Sequence, residues 1–192
     1  KEMVGGLGDR QPEFNDHVIA YIRREQISDV ILVARWGIYL DPAGTTVESA
    51  EAASFKRALV ATVEQLVAAG SRPWIVLDVP NHSFDVPKAL CSPFYSSDEI
   101  AQLCSRPAAR DELNSSYGDF LAELRAVGAR VLDPKPRFLD STGTRYLVEA
   151  DGIALYRDHD HLTAKGAQRI LLPFLRESTL LEAARSEPRL RR

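Results

Sequence analysis

Apolar residues along the chain follow two patterns, one with helical spacing and one continuous. Apolar positions three or four residues apart predict helices over 12–26, 49–69, 107–127 and 162–175. Unbroken apolar runs predict strands buried on both faces, as in a parallel sheet under helices, at 30–34, 74–79 and 130–132. The remaining predicted elements are a short helix at 98–103 and a hairpin that turns at Asp151-Gly152.

Helices and strands therefore alternate along the chain, which is typical of a three-layer α/β domain with a parallel sheet. With 192 residues, the chain is long enough for one domain over 1–192 and short for two. We expect its ends, 1–11 and 186–192, to be frayed.

Composition and charge argue against two classes of protein, nucleic-acid-binding proteins and proteins with a membrane-spanning helix in this sequence. Lys and Arg total 24 against 27 Asp and Glu, a net charge of −3, so the basic excess of a nucleic-acid-binding protein is absent. The longest uncharged stretch, 89–97, is far shorter than the roughly 20 residues of a membrane-spanning helix. The chain starts with Lys1 and no signal peptide follows, which we interpret as a piece cut from something larger.

The densest group of chemically active side chains precedes the last predicted helix, where Asp158, His159, Asp160 and His161 follow one another. Asp158 stands three residues before His161, so its carboxylate can accept a hydrogen bond from Nδ1–H of the imidazole. That contact would fix the tautomer and leave Nε2 as a general base. Because positions i and i+3 share one side of a tight turn, we expect His159 and Asp160 to point to solvent.

Two other interpretations of this segment stay open. The same side chains offer nitrogen and oxygen ligands, yet no second ligand cluster supports a metal cage, so we predict no metal and no cofactor. A charged loop that caps a helix would also explain the pattern.

The two cysteines allow two states. Cys91 and Cys104 can be two buried thiols, as is common in an intracellular chain. They can also form one disulfide across a loop of about 14 residues, worth roughly 3 kcal/mol in the chain-entropy model. No His or other Cys stands nearby at the spacing of zinc ligands.

The segment Asp158-x-x-His161-Leu162-Thr163, followed by Gly166-Ala167, resembles the C-terminal Asp-x-x-His-Leu block of the SGNH hydrolase superfamily. The closest resemblance is to the SGNH domain fused to acyltransferase-3 membrane proteins of the O-antigen acetylase type. Ala34-Arg35-Trp36, Asp78-Val79-Pro80 and Val131-Leu132-Asp133-Pro134 also fit that subfamily, and the resemblance spans about residues 13–175.

The resemblance implies a flavodoxin-like α/β/α fold and a Ser–His–Asp triad that moves an acyl group, usually acetyl, from a donor to a glycan hydroxyl. His161 would be the base and Asp158 its orienting partner. The domain would lie on the periplasmic side of the bacterial inner membrane, covalently linked to a membrane acyltransferase domain. That setting favours a Cys91–Cys104 disulfide.

One departure from the family concerns the nucleophile, which lies in a Gly-Asp-Ser block after the first strand. No Gly-Asp-Ser occurs here, Gly8-Asp9-Arg10 has Arg in place of Ser, and no serine of the chain is nominated. We expect the N-terminal strand–helix–strand part of the domain to be missing and the serine to come from upstream of Lys1. The strand at 30–34 would then have an uncovered apolar edge.

A second departure concerns the strand ends. Arg35 and Trp36 stand where ordinary SGNH hydrolases have Gly-x-Asn-Asp, and a guanidinium there can stabilise an oxyanion or bind substrate. Equally, Arg35 can pair with a carboxylate while Trp36 covers the core edge. Asn81 follows the second strand and either lines the pocket or forms a turn.

Two other functions fit the same residues. An esterase or deacetylase on this fold would use water as the acceptor instead of a sugar hydroxyl. A catalytically inactive carbohydrate-binding module would explain the missing serine.

Overall fold

The computed structural model describes residues 11–40, 49–104, 115–178 and 180. The helices are α1 (Gln11–Arg24), α2 (Trp36–Leu40), α3 (Ala50–Ala68), α4 (Val86–Cys91), α5 (Ser97–Leu103), α6 (Ser115–Ala126), α7 (Ala164–Gly166) and α8 (Leu172–Glu177). The strands are β1 (Asp29–Val33), β2 (Arg72–Val76), β3 (Arg130–Leu132), β4 (Glu149–Ala150) and β5 (Ile153–Ala154). Apart from Gln11, the ends predicted to fray lie outside the described residues.

The central sheet has the order β1-β2-β3, and both pairings are parallel. Val76 of β2 stands opposite Val33 of β1 and Leu132 of β3, so the three strands end at the same edge. The predicted α/β fold class with a parallel sheet is therefore confirmed. Side chains that follow the three strands gather at one place because the strands end together.

The main core lies between the sheet and two long helices. Leu59 and Val63 of α3 and Leu124 of α6 pack with Ile75 of β2 and with Leu77, which directly follows β2. The helical spacing of the sequence predicts these positions on α3 and α6 correctly. Across the parts of the chain that the structure describes, no helix has both the length and the apolar character that crossing a bilayer requires.

β1 and β3 are the two edge strands of the described sheet, and β1 carries exposed apolar side chains. Within the described residues β1 pairs with β2 alone, and its register places Ile31 and Val33 on the same face as Trp74 and Val76. Ile31 is 49% exposed and Val33 is 69% exposed. β1 is thus an edge strand with exposed apolar side chains, and the absence of an N-terminal part of the domain stays a prediction. Further exposed apolar side chains lie on α1, at Phe14, Val18 and Tyr21.

Two short helices occupy segments predicted as loops. α4 begins after Asp85, whose carboxylate accepts the backbone N–H of Lys88, and has Pro87 in its first turn. α2 begins at Trp36, directly after the end of β1. Five or six residues span fewer than two helical turns, so no apolar period marks them in the sequence.

The hairpin of β4 and β5 confirms the turn predicted from Asp151-Gly152. Asp151 has φ 52° and Gly152 has φ 73°, the pair of positive values that a two-residue hairpin of type I′ requires. Side chains from the hairpin region pack into a second core with α4 and α5, formed by Val86, Cys104, Phe138, Tyr146, Val148, Leu155 and Tyr156.

The structure holds both cysteines as free thiols and so lacks the disulfide favoured by the family resemblance. Cys91 ends α4 and is exposed, whereas Cys104 follows α5 and is buried in the second core. Burial raises the pKa of the Cys104 thiol to about 11. Cys104 is therefore uncharged and shielded, and Cys91 is the accessible thiol.

An ion pair fixes the opposite end of the sheet. Arg72 donates from Nε to Oδ1 of Asp29 at 2.9 Å, and the indole Nε1 of Trp74 donates to the same oxygen at 2.8 Å. The hydrogen bonds from Arg72, with those from Trp74 and Ser28, lower the pKa of the Asp29 carboxyl to about 2. The amino ends of β1 and β2 are thus joined by a charged contact.

This contact makes part of the stability pH-dependent. A carboxylate with a lowered pKa stabilises the fold fully above its unfolded value of about 3.9 and loses that effect as the pH falls towards about 2. Urea unfolding should show a larger loss of stability for Asp29→Asn at neutral pH than near pH 2. An equal loss at both pH values would contradict this assignment, and Asp16→Asn, at an exposed position of α1, is the control.

The thiols give a second prediction. In protein kept free of reductant, iodoacetamide should modify Cys91 readily and Cys104 only after unfolding in urea, because the buried Cys104 forms little thiolate. Peptide mass spectrometry measures the two sites separately. Should neither thiol react in urea until a reductant is added, the two cysteines form the disulfide and the free-thiol state is wrong.

Candidate active site

The candidate site lies in the loop between β5 and α7. An antiparallel bridge between Tyr156 and Leu162 and a 2.9 Å hydrogen bond from Arg157 N–H to His161 O close this loop. Residues 158–161 form its tip. Thr163 then begins α7, where its side chain accepts the backbone N–H of Gly166 at 2.8 Å.

Asp158 and His161 are in contact, as their spacing predicts. Nδ1 of His161 lies 2.9 Å from Oδ2 and 3.1 Å from Oδ1 of Asp158. Oδ1 also accepts the backbone N–H groups of Asp160 at 3.0 Å and of His161 at 2.7 Å. These two backbone bonds, together with the imidazole, hold the pKa of the Asp158 carboxyl well below its usual range. Asp158 is therefore a fixed anion on the Nδ1 side of the ring.

The expectation that Asp160 points to solvent is wrong, whereas His159 is exposed as expected. The Asp160 side chain is only 10% exposed, and its Oδ2 lies 3.0 Å from Nη2 of Arg35, which follows β1. Its Oδ1 lies 2.8 Å from Nδ1 of His161. The reason is a partner distant in sequence, since a nearly buried carboxylate needs a cation and Arg35 supplies one.

The position of the proton on the neutral ring of His161 follows from these contacts. Nδ1 faces oxygens of two carboxylates, Asp158 and Asp160, so a lone pair at that atom would be repelled. The hydrogen of the neutral imidazole therefore belongs on Nδ1, and Nε2 carries the lone pair. The side chain of His161 is 56% exposed, so the ring is accessible to a reacting hydroxyl.

Trp36 does not contribute a free donor to this site. Its indole Nε1 donates to Val76 O at 2.7 Å, and its backbone N–H donates to Oδ1 of Asp78 at 3.3 Å. Asp78 also accepts the N–H of Gly37 at 3.1 Å, and burial raises the pKa of the Asp78 carboxyl. Of the two sequence interpretations, the structure favours the one in which Arg35 pairs with a carboxylate and Trp36, 4% exposed, covers the core edge.

Asn81 lies beside the loop. It is exposed and makes no side-chain hydrogen bond within the described part of the chain. The next residue, His82, donates its backbone N–H to His159 O at 2.8 Å, which ties the segment after β2 to residues 158–161. Sequence reasoning missed the role of Asp78, although an aspartate just after a strand end, opposite Arg35 and Trp36, is a usable signal.

The donor set does not suit a metal ion. Ligand atoms of Asp158, Asp160 and His161 lie within 4.8 Å of one another. However, the Arg35 guanidinium already neutralises Asp160, and the imidazole presents its N–H to this group of oxygens. A cation would have to displace the guanidinium from Asp160 and the hydrogen from Nδ1 of His161. The arrangement fits an oriented general base better than a metal centre.

A close approach of α7 supports the loop from one side. A Cβ on Gly166 would lie 2.2 Å from the carbonyl oxygen of Leu155 and 2.9 Å from its Cα. Leu155 O also accepts the N–H of Thr163 at 2.8 Å. Only glycine allows this contact, which sets where the chain leaves and re-enters the loop.

Comparison with known proteins decides the family. A family model described as the SGNH domain fused to AT3 domains matches residues 3–176. The chain belongs to this family. The match confirms the resemblance drawn from the Asp158-x-x-His161 block and covers the strands, the loop and the last helices of this SGNH domain.

The SGNH domain is also similar to a solved structure, the periplasmic domain of the lipopolysaccharide acetyltransferase of Salmonella ser. Paratyphi A. The TM-score is 0.55 at 16% identity, and the alignment covers 90% of this chain and 62% of that chain. At this identity the similarity concerns the fold, and this SGNH domain spans less than two thirds of its neighbour's length. No curated protein matches the chain significantly.

The contact at Gly166 gives a prediction for this SGNH domain. Gly166→Ala should lower the free energy of unfolding by about 1–3 kcal/mol, because its Cβ meets backbone that cannot move aside cheaply. The matched control is Gly118→Ala on α6, where nothing lies within 4 Å and alanine should be neutral or slightly stabilising. Urea unfolding measures both variants, and equal stabilities would contradict the close approach.

Proposed function

We propose that this SGNH domain transfers an acyl group, such as acetyl, to a hydroxyl group of a glycan in the bacterial envelope. The observation that carries the proposal is the imidazole of His161, which is fixed at Nδ1 by Asp158 and exposed to solvent. Membership in a family of SGNH domains fused to AT3 domains supports an acyl-transfer or hydrolase type of enzyme.

In the first half of the reaction, Nε2 of His161 takes the proton of a serine hydroxyl as its oxygen attacks the acyl carbonyl of the donor. The donor's leaving group departs with that proton, and an acyl-serine ester remains. In the second half, Nε2 removes the proton of the glycan hydroxyl, which attacks the ester. The serine oxygen leaves and recovers the proton from the imidazolium, which Asp158 stabilises throughout.

We place the nucleophilic serine outside this sequence. The sequence contains no Gly-Asp-Ser, and described serines such as Ser71 and Ser96 use their hydroxyls locally, bonding Ile27 O and capping α5. The open edge of β1, with Ile31 and Val33 exposed, supports a further strand of the same domain at this position. Such a strand would carry the serine.

The backbone N–H groups of Trp36 and Gly37 are not donors to the tetrahedral oxyanion in this proposal, because both already donate to Asp78. Arg35 is half-exposed beside the site, and Asn81 is exposed at the neighbouring strand end. We propose these two side chains for contact with the glycan or the acyl donor.

The setting is also part of the proposal. We propose that the domain is covalently joined to a membrane-embedded AT3 domain, which supplies the acyl group, and that it works on the periplasmic side of the inner membrane. The family description and the periplasmic location of the similar acetyltransferase domain support this. The oxidising periplasm would also allow the Cys91–Cys104 disulfide, which is absent from the structure.

The proposal is tested in the intact protein, including its membrane domain, by measuring acetylation of envelope glycan. His161→Ala should lower transfer by about three orders of magnitude or more, because the general base is lost, and Asp158→Asn should cause a large loss through the wrong tautomer. His17→Ala, on the exposed face of α1, should leave transfer unchanged. Undiminished transfer by His161→Ala would refute the mechanism, and release of free acetate without glycan acetylation would assign an esterase instead.

A further inference from the structure

We propose that Arg35 and Asp160 form a positioning pair that holds a charge-balanced carboxylate against Nδ1 of His161. The inference rests on the proposed function, in which His161 is the base. It assigns Asp160 a role, and Arg35 a role besides its proposed contact with the glycan or the acyl donor. Both act through the orientation and the protonation of the imidazole.

The geometry places Asp160 between two basic groups. Its Oδ2 lies 3.0 Å from Nη2 of Arg35, and its Oδ1 lies 2.8 Å from Nδ1 of His161. The side chain is nine-tenths buried, so water does little to screen its charge. Asp160 therefore connects Arg35, at the end of β1, to His161 in the loop of residues 158–161.

Two carboxylates compete for the one N–H of the imidazole. Both oxygens of Asp158 are within hydrogen-bond distance and direction of Nδ1, whereas Oδ1 of Asp160 is near Nδ1 but outside hydrogen-bond geometry. The Arg35 guanidinium draws Asp160 away and offsets its charge. Asp158 is thereby kept as the orienting partner, and the ring stays directed with Nε2 outward.

The other charged groups around the ring are few among the described residues. Arg157 lies 3.8 Å from Asp158 by its Nε, and His159 lies 3.6 Å from Asp160 by its Nε2. From the start of α4, the charge of Asp85 acts on Asp158. None of these groups neutralises the nearly buried Asp160 as Arg35 does. Loss of Arg35 would leave an unbalanced negative charge beside Nδ1 and favour the doubly protonated ring.

The test observes the ring directly by ¹⁵N NMR of the histidine side chains in this chain across a pH series. In the wild type, the neutral ring of His161 should carry its hydrogen on Nδ1. In Arg35→Met, the proton affinity of the ring should rise about tenfold, so that it stays doubly protonated at pH values where the wild-type ring is neutral. Arg35→Lys should restore most of the wild-type behaviour.

Two further variants separate charge balance from general damage. Asp160→Asn should lower the proton affinity of His161, and adding Arg35→Met to it should cause little further change, because the charge to be balanced is gone. The matched control is Arg24→Met, which removes an exposed arginine paired with Glu25 before the amino end of β1. This control should leave the ring signals of His161 unchanged.

The outcomes are independent of the transfer assay. An unchanged His161 titration in Arg35→Met, or an equal change in Arg35→Lys, would overturn the positioning pair even if His161 proved essential for transfer. Conversely, the predicted NMR changes together with full transfer by His161→Ala would retain the pair and refute the proposed function. If Arg35→Met does not fold, Asp160→Asn alone decides, and an unchanged ring in that variant overturns the proposal.

Discussion

The site depends on one interaction, the hydrogen bond between Nδ1 of His161 and the carboxylate of Asp158. This bond is useful only if the loop that carries both residues is closed, which the Tyr156–Leu162 bridge achieves. The close approach of Gly166 then fixes the loop against the start of the last helices. The imidazole thus owes its orientation to backbone contacts as well as to a carboxylate, and a general base gains from such preorganisation.

Charge balance at the strand ends is the second constraint. Two nearby carboxylates, Asp78 and Asp160, contact groups that follow β1: Asp78 accepts backbone N–H groups, and Asp160 pairs through Oδ2 with Arg35. The Asp78 contact exists because β1 and β2 are parallel and end together, and the Arg35 contact exists because the loop of residues 158–161 is tied to the segment that follows β2. The segment of residues 35–37 therefore makes contacts in both places: Trp36 and Gly37 hold Asp78 after β2, and Arg35 holds Asp160 beside His161.

The sequence predicts contacts that are local and misses those that depend on distant partners. The i, i+3 spacing of Asp158 and His161 is enough to predict their hydrogen bond, and the helical period is enough for α3 and α6. The burial of Asp160 depends on Arg35, which only the folded sheet brings near, so local geometry predicts the wrong orientation. In the same way, α4 is too short for a period and is fixed by a cap and by packing.

The open edge of the sheet and the candidate site are connected by the direction of the strands. β1 has a free edge within the described residues, and it ends just before Arg35, which reaches the loop of His161 through Asp160. A parallel strand added beside β1 would also have its carboxyl end near Arg35, because parallel strands in one sheet align their carboxyl ends. A nucleophile that followed such a strand would arrive beside the exposed side of the imidazole. The exposed strand β1 and the accessible imidazole therefore lie on the same side of the proposed site.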